Sequence, residues 1–220
     1  MPRSKAKKYI LNHSNDRIIE PIKPSYEHMK GKRWADFFHN TNPIVLELAC
    51  GKGEYSVWLA QHFAGKNFIG VDIKGDRMWV GAQQADEFKL NNVWFLRTII
   101  HHLEKFFAED EVSDIRIVHP DPRPRNSDAK RRLTHPRFLR MYKHILVDHG
   151  TVRLKTDDRE LFDFSVEMFA QEWWKNISLT YDLDNDPLLV DHYGIITNYE
   201  KKWKAKGRSI CYGVWQNVSK

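Results

Sequence analysis

Ile44-Val45-Leu46-Glu47-Leu48-Ala49-Cys50-Gly51-Lys52-Gly53 is the stretch that decides the fold. An unbroken apolar run that ends in glycines is the pattern of a strand buried on both faces of a parallel sheet, and the glycines let the backbone approach a ligand closely. The stretch therefore reads as a strand entering a nucleotide-binding turn. The full G-x-G-x-x-G fingerprint is absent, because nothing glycine-like stands three places beyond Gly53, which disfavours a nicotinamide enzyme. A second short strand, Asn67-Phe68-Ile69-Gly70-Val71-Asp72, ends in a carboxylate. Doubly wound sheets hold ribose hydroxyls at that place, so Asp72 is the expected ribose ligand.

Outward from these two strands, apolar runs at 44–48, 67–72, 92–97, 113–118 and 150–156 alternate with amphipathic segments at 54–63, 75–89, 135–146 and 159–173. Such alternation specifies an α/β fold, a mostly parallel sheet with helices on both faces. The end of the chain departs from it. Segments 177–183 and 209–217 are strand-like with no crossover helix between them, which predicts an antiparallel edge and a long polar loop over 184–206. Residues 1–40 carry scattered prolines and bases with weak periodicity. They read as a basic, partly disordered N-terminal arm with a short helix near 34–38, ahead of one domain at 41–220.

The net charge of +6 over 220 residues is a modest excess, but the cations group at 3–8, 30–33, 123–132 and 201–208, a distribution suited to a polyanion. The two cysteines, Cys50 and Cys211, supply neither metal spacing nor a disulfide framework, so a reducing, cytoplasmic compartment and no metal are expected. No run approaches the length of a bilayer span, and the first ten residues are basic without an apolar core, so no membrane association is expected. A monomer and a homodimer both remain open.

The fourth strand, Asp114-Ile115-Arg116-Ile117-Val118, runs into His119-Pro120-Asp121-Pro122-Arg123-Pro124-Arg125 and then Lys130-Arg131-Arg132-Leu133. Prolines at alternate positions exclude both helix and ladder, leaving a stiff extended loop at the carboxyl end of a central strand. Open α/β sheets bind ligands there. One rigidly held acid with cations close behind suits a reaction on a polyanion, with Lys130, Arg131 and Arg132 on its phosphate backbone. Plainer roles stand beside these. Asp157-Asp158 has the placement of a helix N-cap for the segment from Arg159, Thr197 and Glu200 have capping-box spacing, and His101-His102 has no metal-ligand spacing.

Glu47-x-Ala49-x-Gly51-x-Gly53 resembles the S-adenosylmethionine loop of class I methyltransferases. Pro120-Asp121-Pro122, Lys130-Arg131-Arg132-Leu133, Lys155-Thr156-Asp157 and Thr197-Asn198-Tyr199-Glu200, in that order, resemble the motifs of bacterial tRNA (guanine-N7)-methyltransferases over roughly 44–215. The resemblance implies a Rossmann-like, seven-stranded class I fold, S-adenosylmethionine as cofactor, and methylation of a variable-loop guanosine in tRNA at N7. It implies cofactor contacts from Glu47, Ala49, Gly51, Gly53, Asp72 and Asp121, with Asp121 also the catalytic acid. Arg125 takes the place of a substrate-contacting lysine, and Asp157, Thr197, Asn198, Tyr199 and Glu200 match substrate-binding positions.

Three departures accompany the match. Ile99-Ile100 replaces an Asp-Ala pair that contacts the cofactor; Ala49 replaces a glycine, at little cost where φ is negative; and His119 and Arg123 replace an aromatic pair. The first and the last of these motivate an alternative, an RNA-binding module with weakened or lost catalysis. Guanine N7 carries an in-plane lone pair and no proton, so the implied reaction needs alignment more than a general base. Asp121 is accordingly an orienter, accepting hydrogen bonds from the cofactor's ammonium or from guanine N1 and N2, and Asp157 and Glu200 are alternative guanine-edge acceptors.

Overall fold

The computed structural model describes residues 2–31, 33–190, 193–196, 200–201 and 207–218. Its strands are β1 (Ile18–Ile19), β2 (Ile44–Leu48), β3 (Asn67–Asp72), β4 (Val93–Arg97), β5 (Val112–Val118), β6 (Leu146–Thr156), β7 (Lys175–Thr180) and β8 (Cys211–Gln216). They form one sheet in the order β1-β4-β3-β2-β5-β6-β8-β7. All pairings are parallel except β6–β8 and β7–β8, which make the antiparallel edge expected from the sequence. The chain winds outward in one direction from β2 through β3 and β4, then restarts on the other side at β5. The switch point between β2 and β5 opens the crevice in which such sheets bind ligands.

Period-2 geometry sends alternate residues of each strand to opposite faces, and each face has its own cover. Helices α2 (Arg33–Phe38), α5 (Pro136–Ile145) and α6 (Arg159–Gln171) join Leu46, Leu48, Ile115, Ile117, Val152 and Leu154 in one continuous apolar core. Helices α3 (Glu54–His62) and α4 (Gly75–Glu87) cover Val45, Phe68, Val93 and Phe95 on the opposite face. The Asp158 carboxylate caps α6 by accepting from Leu161 N at 2.8 Å, the capping role read for Asp157-Asp158.

The N-terminal segment, read as a basic arm, contains a helix and a short strand. Helix α1 (Pro2–His13) packs on α4, where Asn12 Nδ2 donates to Gly75 O at 2.8 Å. Ile18 and Ile19, both buried, pair with Phe95 and Leu96 and add an eighth strand to the seven expected. Trp34 is fully buried; its indole donates to Phe106 O at 2.7 Å and stacks on Phe107 with ring centroids 5.2 Å apart. A two-residue strand is too short to show a period, so only its pairing with β4 reveals it.

Candidate active site

Between β2 and α3 the backbone turns through 49–53, where the two glycines have different tasks. Gly53 has φ 72°, and a Cβ there would lie 2.2 Å from Phe95 Cε1; Cβ atoms on Gly70 and Gly81 would crowd the same ring at 2.8 and 2.6 Å. Phe95 is thus clasped by three glycines and seats the loop on the sheet. Gly51, at φ 56°, has nothing within 4 Å of its Cβ position, so its open side is free for a ligand. Its N–H donates to Asp72 Oδ2 at 2.9 Å, and Lys74 N donates to Oδ1 at 3.0 Å. The expected ribose acid is therefore locked beside the loop by two backbone donors.

Glu47 is buried, and its Oε2 accepts from Ser56 N at 2.9 Å and from the Ser56 hydroxyl. Burial, opposed by those two bonds, pushes its carboxyl up to about 7. It ties β2 to the first turn of α3 and thereby shapes the loop. Ala49 does not meet the condition under which it replaces glycine at little cost. Its φ is 59°, in the left-handed region, where a Cβ costs about 1–2 kcal/mol.

Where β5 ends, the proline loop presents Asp121 with 61% of its side chain exposed. Arg123 N donates to Asp121 Oδ1 at 3.2 Å, and Arg123 Nε lies 3.2 Å from Oδ2. Leu48 and Ile117 are register partners, so this loop and the glycine loop leave adjacent strands at the same edge. Arg125, Lys130 and Arg131 are exposed around the short 3-10 helix Asn126–Arg131, and Arg131 Nη1 reaches Asp128 Oδ1 at 3.2 Å. Arg132, grouped with them for RNA from the sequence, is set apart by burial. Its guanidinium donates to Arg123 O at 3.3 and 3.2 Å and lies 4.5 Å from the Phe164 ring centroid, so it braces the proline loop.

Asp157 and Glu200 are brought together by groups to which the sequence reading gave no role. His119 Nδ1 lies 3.2 Å from Asp157 Oδ1, and His119 Nε2 lies 3.7 Å from Glu200 Oε2. Lys155 Nζ donates to Glu200 Oε2 at 2.7 Å and to Ile195 O at 3.0 Å, and Arg208 Nη1 donates to Asp157 Oδ2 at 3.0 Å. Burial opposes ionisation of Glu200, but His119 and Lys155 outweigh it and hold the carboxyl near 2. Thr197, Asn198 and Tyr199 lie outside the described residues. A lysine inside a strand that carries Arg153 two places earlier was the available signal for this network.

These residues fit S-adenosylmethionine. Asp72 offers fixed acceptor oxygens, Gly51 an open backbone, and Asp121 an exposed carboxylate; Ile73 and Ile99, 54% and 52% exposed, add apolar surface beyond β3 and β4. Thr98 N donates to Asp72 O at 3.1 Å, which keeps the two strand ends together. A family model described as "Putative methyltransferase" matches residues 41–212. The tRNA (guanine-N(7)-)-methyltransferase of Cytophaga hutchinsonii is 42% identical over 96% of this chain and 96% of its own. The corresponding enzyme of Bacteroides fragilis is 45% identical over 84% of this chain and 72% of its own. The chain belongs to the tRNA (guanine-N7)-methyltransferase family.

This family member is an S-adenosylmethionine-dependent methyltransferase. Its fold agrees with that of the 16S rRNA methyltransferase KamB, with a TM-score of 0.66 at 14% identity over 85% of this chain and 93% of that one. Among the described residues no helix is long and apolar enough to cross a membrane, and no cluster of metal-ligating side chains occurs.

Proposed function

We infer that this enzyme transfers the methyl group of S-adenosylmethionine to N7 of a variable-loop guanosine in tRNA, and that it works in the cytoplasm, where its substrate is processed. The observation that carries the reading is an exposed Asp121, held by Arg123 between prolines, at the edge where Gly51 and Asp72 are joined. Bound S-adenosylmethionine supplies an electrophilic methyl on a sulfonium. The protein's task is then alignment, an effect of about 7–11 kcal/mol in well-oriented systems, because N7 has no proton to lose. Asp72 would hold the ribose, and Asp121 the ammonium or the guanine N1 and N2 donors. Asp157 and Glu200 would accept from the guanine edge. Exposed Arg125 would contact the substrate and exposed Lys130 and Arg131 its backbone, whereas Arg132 acts through the loop it braces.

Unmodified tRNA is incubated with methyl-labelled cofactor, reduced with borohydride and cleaved with aniline; scission at a variable-loop guanosine is expected. Label without scission would refute N7 as the acceptor. Asp121→Ala should lower transfer by at least ~10²-fold, with tRNA affinity nearly unchanged because phosphate contacts dominate binding. Equal losses in both assays remove Asp121 from the reaction. The RNA-binding alternative is judged by calorimetric titration with S-adenosylhomocysteine, where absence of binding is the result that would favour it.

A further inference from the structure

We propose that His119 is a positioning residue of this site: its imidazolium bridges Asp157 and Glu200 and holds the two carboxylates as a single guanine-reading pair. The inference rests on the reading that these two acids accept hydrogen bonds from the guanine edge. His119 is the first residue beyond β5; its N–H donates to Lys155 O at 2.8 Å, and its φ of 46° is one that an L residue keeps only when its surroundings fix it. The side chain is 4% exposed, against 7% for Asp157 and 2% for Glu200, so the three groups meet away from bulk water.

The two ring nitrogens face two carboxylates that come from different parts of the chain, Asp157 just past β6 and Glu200 on the C-terminal segment. A neutral imidazole has one donor and one acceptor and would aim a lone pair at one of these anions. The imidazolium presents donors to both. Lys155 Nζ lies 2.7 Å from Glu200 Oε2, and Arg208 Nη1 lies 3.0 Å from Asp157 Oδ2. His119 contacts both acids, so the spacing of the acceptor pair depends on it. Burial favours the neutral ring and Lys155 repels the proton, yet the carboxylates of Asp157 and Glu200 prevail and the imidazole titrates above its ordinary range. The bridge is therefore complete at low pH and is lost as pH rises through that raised value. Attack by N7 requires no protein base, so the chemical step introduces no alkaline decline of its own from this cluster.

The test measures kcat and the KM for tRNA against pH in the wild type, His119→Phe, His119→Gln, Asp157→Asn and Glu200→Gln. Calorimetric binding of S-adenosylhomocysteine verifies each fold. His119→Phe should lower kcat by ~10²-fold with KM for tRNA within about twofold, the scale of a small misplacement of reacting groups. Glutamine places two amide hydrogens near both acids, so His119→Gln should recover activity to within about tenfold of wild type and should lack the wild-type alkaline decline. Wild-type kcat in His119→Phe, or an unchanged alkaline decline in His119→Gln, overturns the bridge, while losses in Asp157→Asn and Glu200→Gln would still uphold the guanine-edge reading. If those two variants keep full kcat/KM, that reading fails and takes the inference with it. Should His119→Phe not fold, NMR titration of isotope-labelled histidine decides the matter: a His119 midpoint that falls in Asp157→Asn supports the bridge, and an unmoved midpoint overturns it.

Discussion

The two faces of the central strands are built on opposite principles. Beneath α5 and α6, residues Leu46, Leu48, Ile115, Ile117, Val152 and Leu154 join Phe138, Leu139, Phe162, Phe169 and Trp215, with Phe169 stacked on Trp215 at 4.1 Å. Turned over, the same strands present Glu47, Asp114, Arg116, Arg153 and Lys155, all buried or nearly so. Asp114 accepts from Arg116 Nε at 2.8 Å, Arg153 Nε at 3.2 Å and Thr151 Oγ1 at 2.6 Å; Arg116 Nη1 donates to Tyr55 OH at 2.9 Å and Arg153 Nη1 to Tyr212 OH at 3.1 Å. The C-terminal segment covers this polar face, with Tyr193 5.7 Å from Arg116 and the Ile195 carbonyl on Lys155. Apolar contact is non-directional and holds helices on, whereas buried ion pairs give little net stability but fix position. On the second face, the part over β5 and β6 beside the site is made of directional contacts, whereas the part under α3 and α4 is apolar.

Substitutions of similar thermodynamic cost on the two faces put this division to the strongest test. Phe169→Ala removes a stacked core ring and should cost about 3–5 kcal/mol in urea unfolding, with kcat of the folded enzyme within about twofold of wild type. Lys155→Met removes the cation from a buried Glu200 and should cost a similar ~3–5 kcal/mol. It should also cut kcat severely, because Ile195 O and the Glu200 carboxylate lose the donor they share. Equal kcat losses in the two variants would break the comparison.

A smaller effect separates two acids of the polar face by pH. Glu47 titrates near 7 in the fold, against an unfolded value of about 4.3, so the native state binds its proton more tightly. Its contribution makes stability fall as pH rises from about 4.5 to about 7. Glu200, held near 2, has the opposite sign: its stabilisation is present above about 4.5 and is lost as pH falls toward 2. Glu47→Gln retains an acceptor for Ser56 and should flatten the stability curve between pH 5 and 7 by about 2 kcal/mol while leaving the acid limb in place. Urea midpoints at several pH values measure both limbs, and an unaltered slope above pH 5 would show that Glu47 is not the group responsible.

The apolar face was the legible one. Runs such as 44–48 and 67–72 announce buried parallel strands, and the Pro120–Pro124 alternation marks a rigid rim, because local sterics and hydrophobic period determine those features. The polar face was not, since the partners of Arg116 and Lys155 lie 61 and 45 residues away at Tyr55 and Glu200. Glu47 shows the same limit: the sequence marks an acid in a ligand loop, but its bond to Ser56 depends on how α3 returns over β2. Arg132 sits in a basic run that looks uniformly solvated, and only the fold turns it inward onto Arg123 O.

Strain distinguishes the faces last and most weakly. Several non-glycine residues have positive φ, but His39, Lys89 and Trp173 follow the ends of α2, α4 and α6, where a left-handed residue commonly closes a helix. Ala49, His119 and Arg123, at φ 59°, 46° and 50°, instead lie in the loops that leave β2 and β5 at the rim of the site. Ala49 has no ion pair to hold it, so its conformation is imposed by the loop seated on Phe95. Glycine relieves about 1–2 kcal/mol of steric cost there but loses about 0.5–1 kcal/mol more entropy on folding. Ala49→Gly should therefore gain about 0.5–1 kcal/mol and raise Tm by about 1–4 °C for a chain of this size, with kcat/KM within about twofold. Scanning calorimetry of the cofactor-free enzyme reads this shift. A Tm that stays put or falls would mean that the loop relaxes around the methyl group, and that the rim stores no strain at the end of β2.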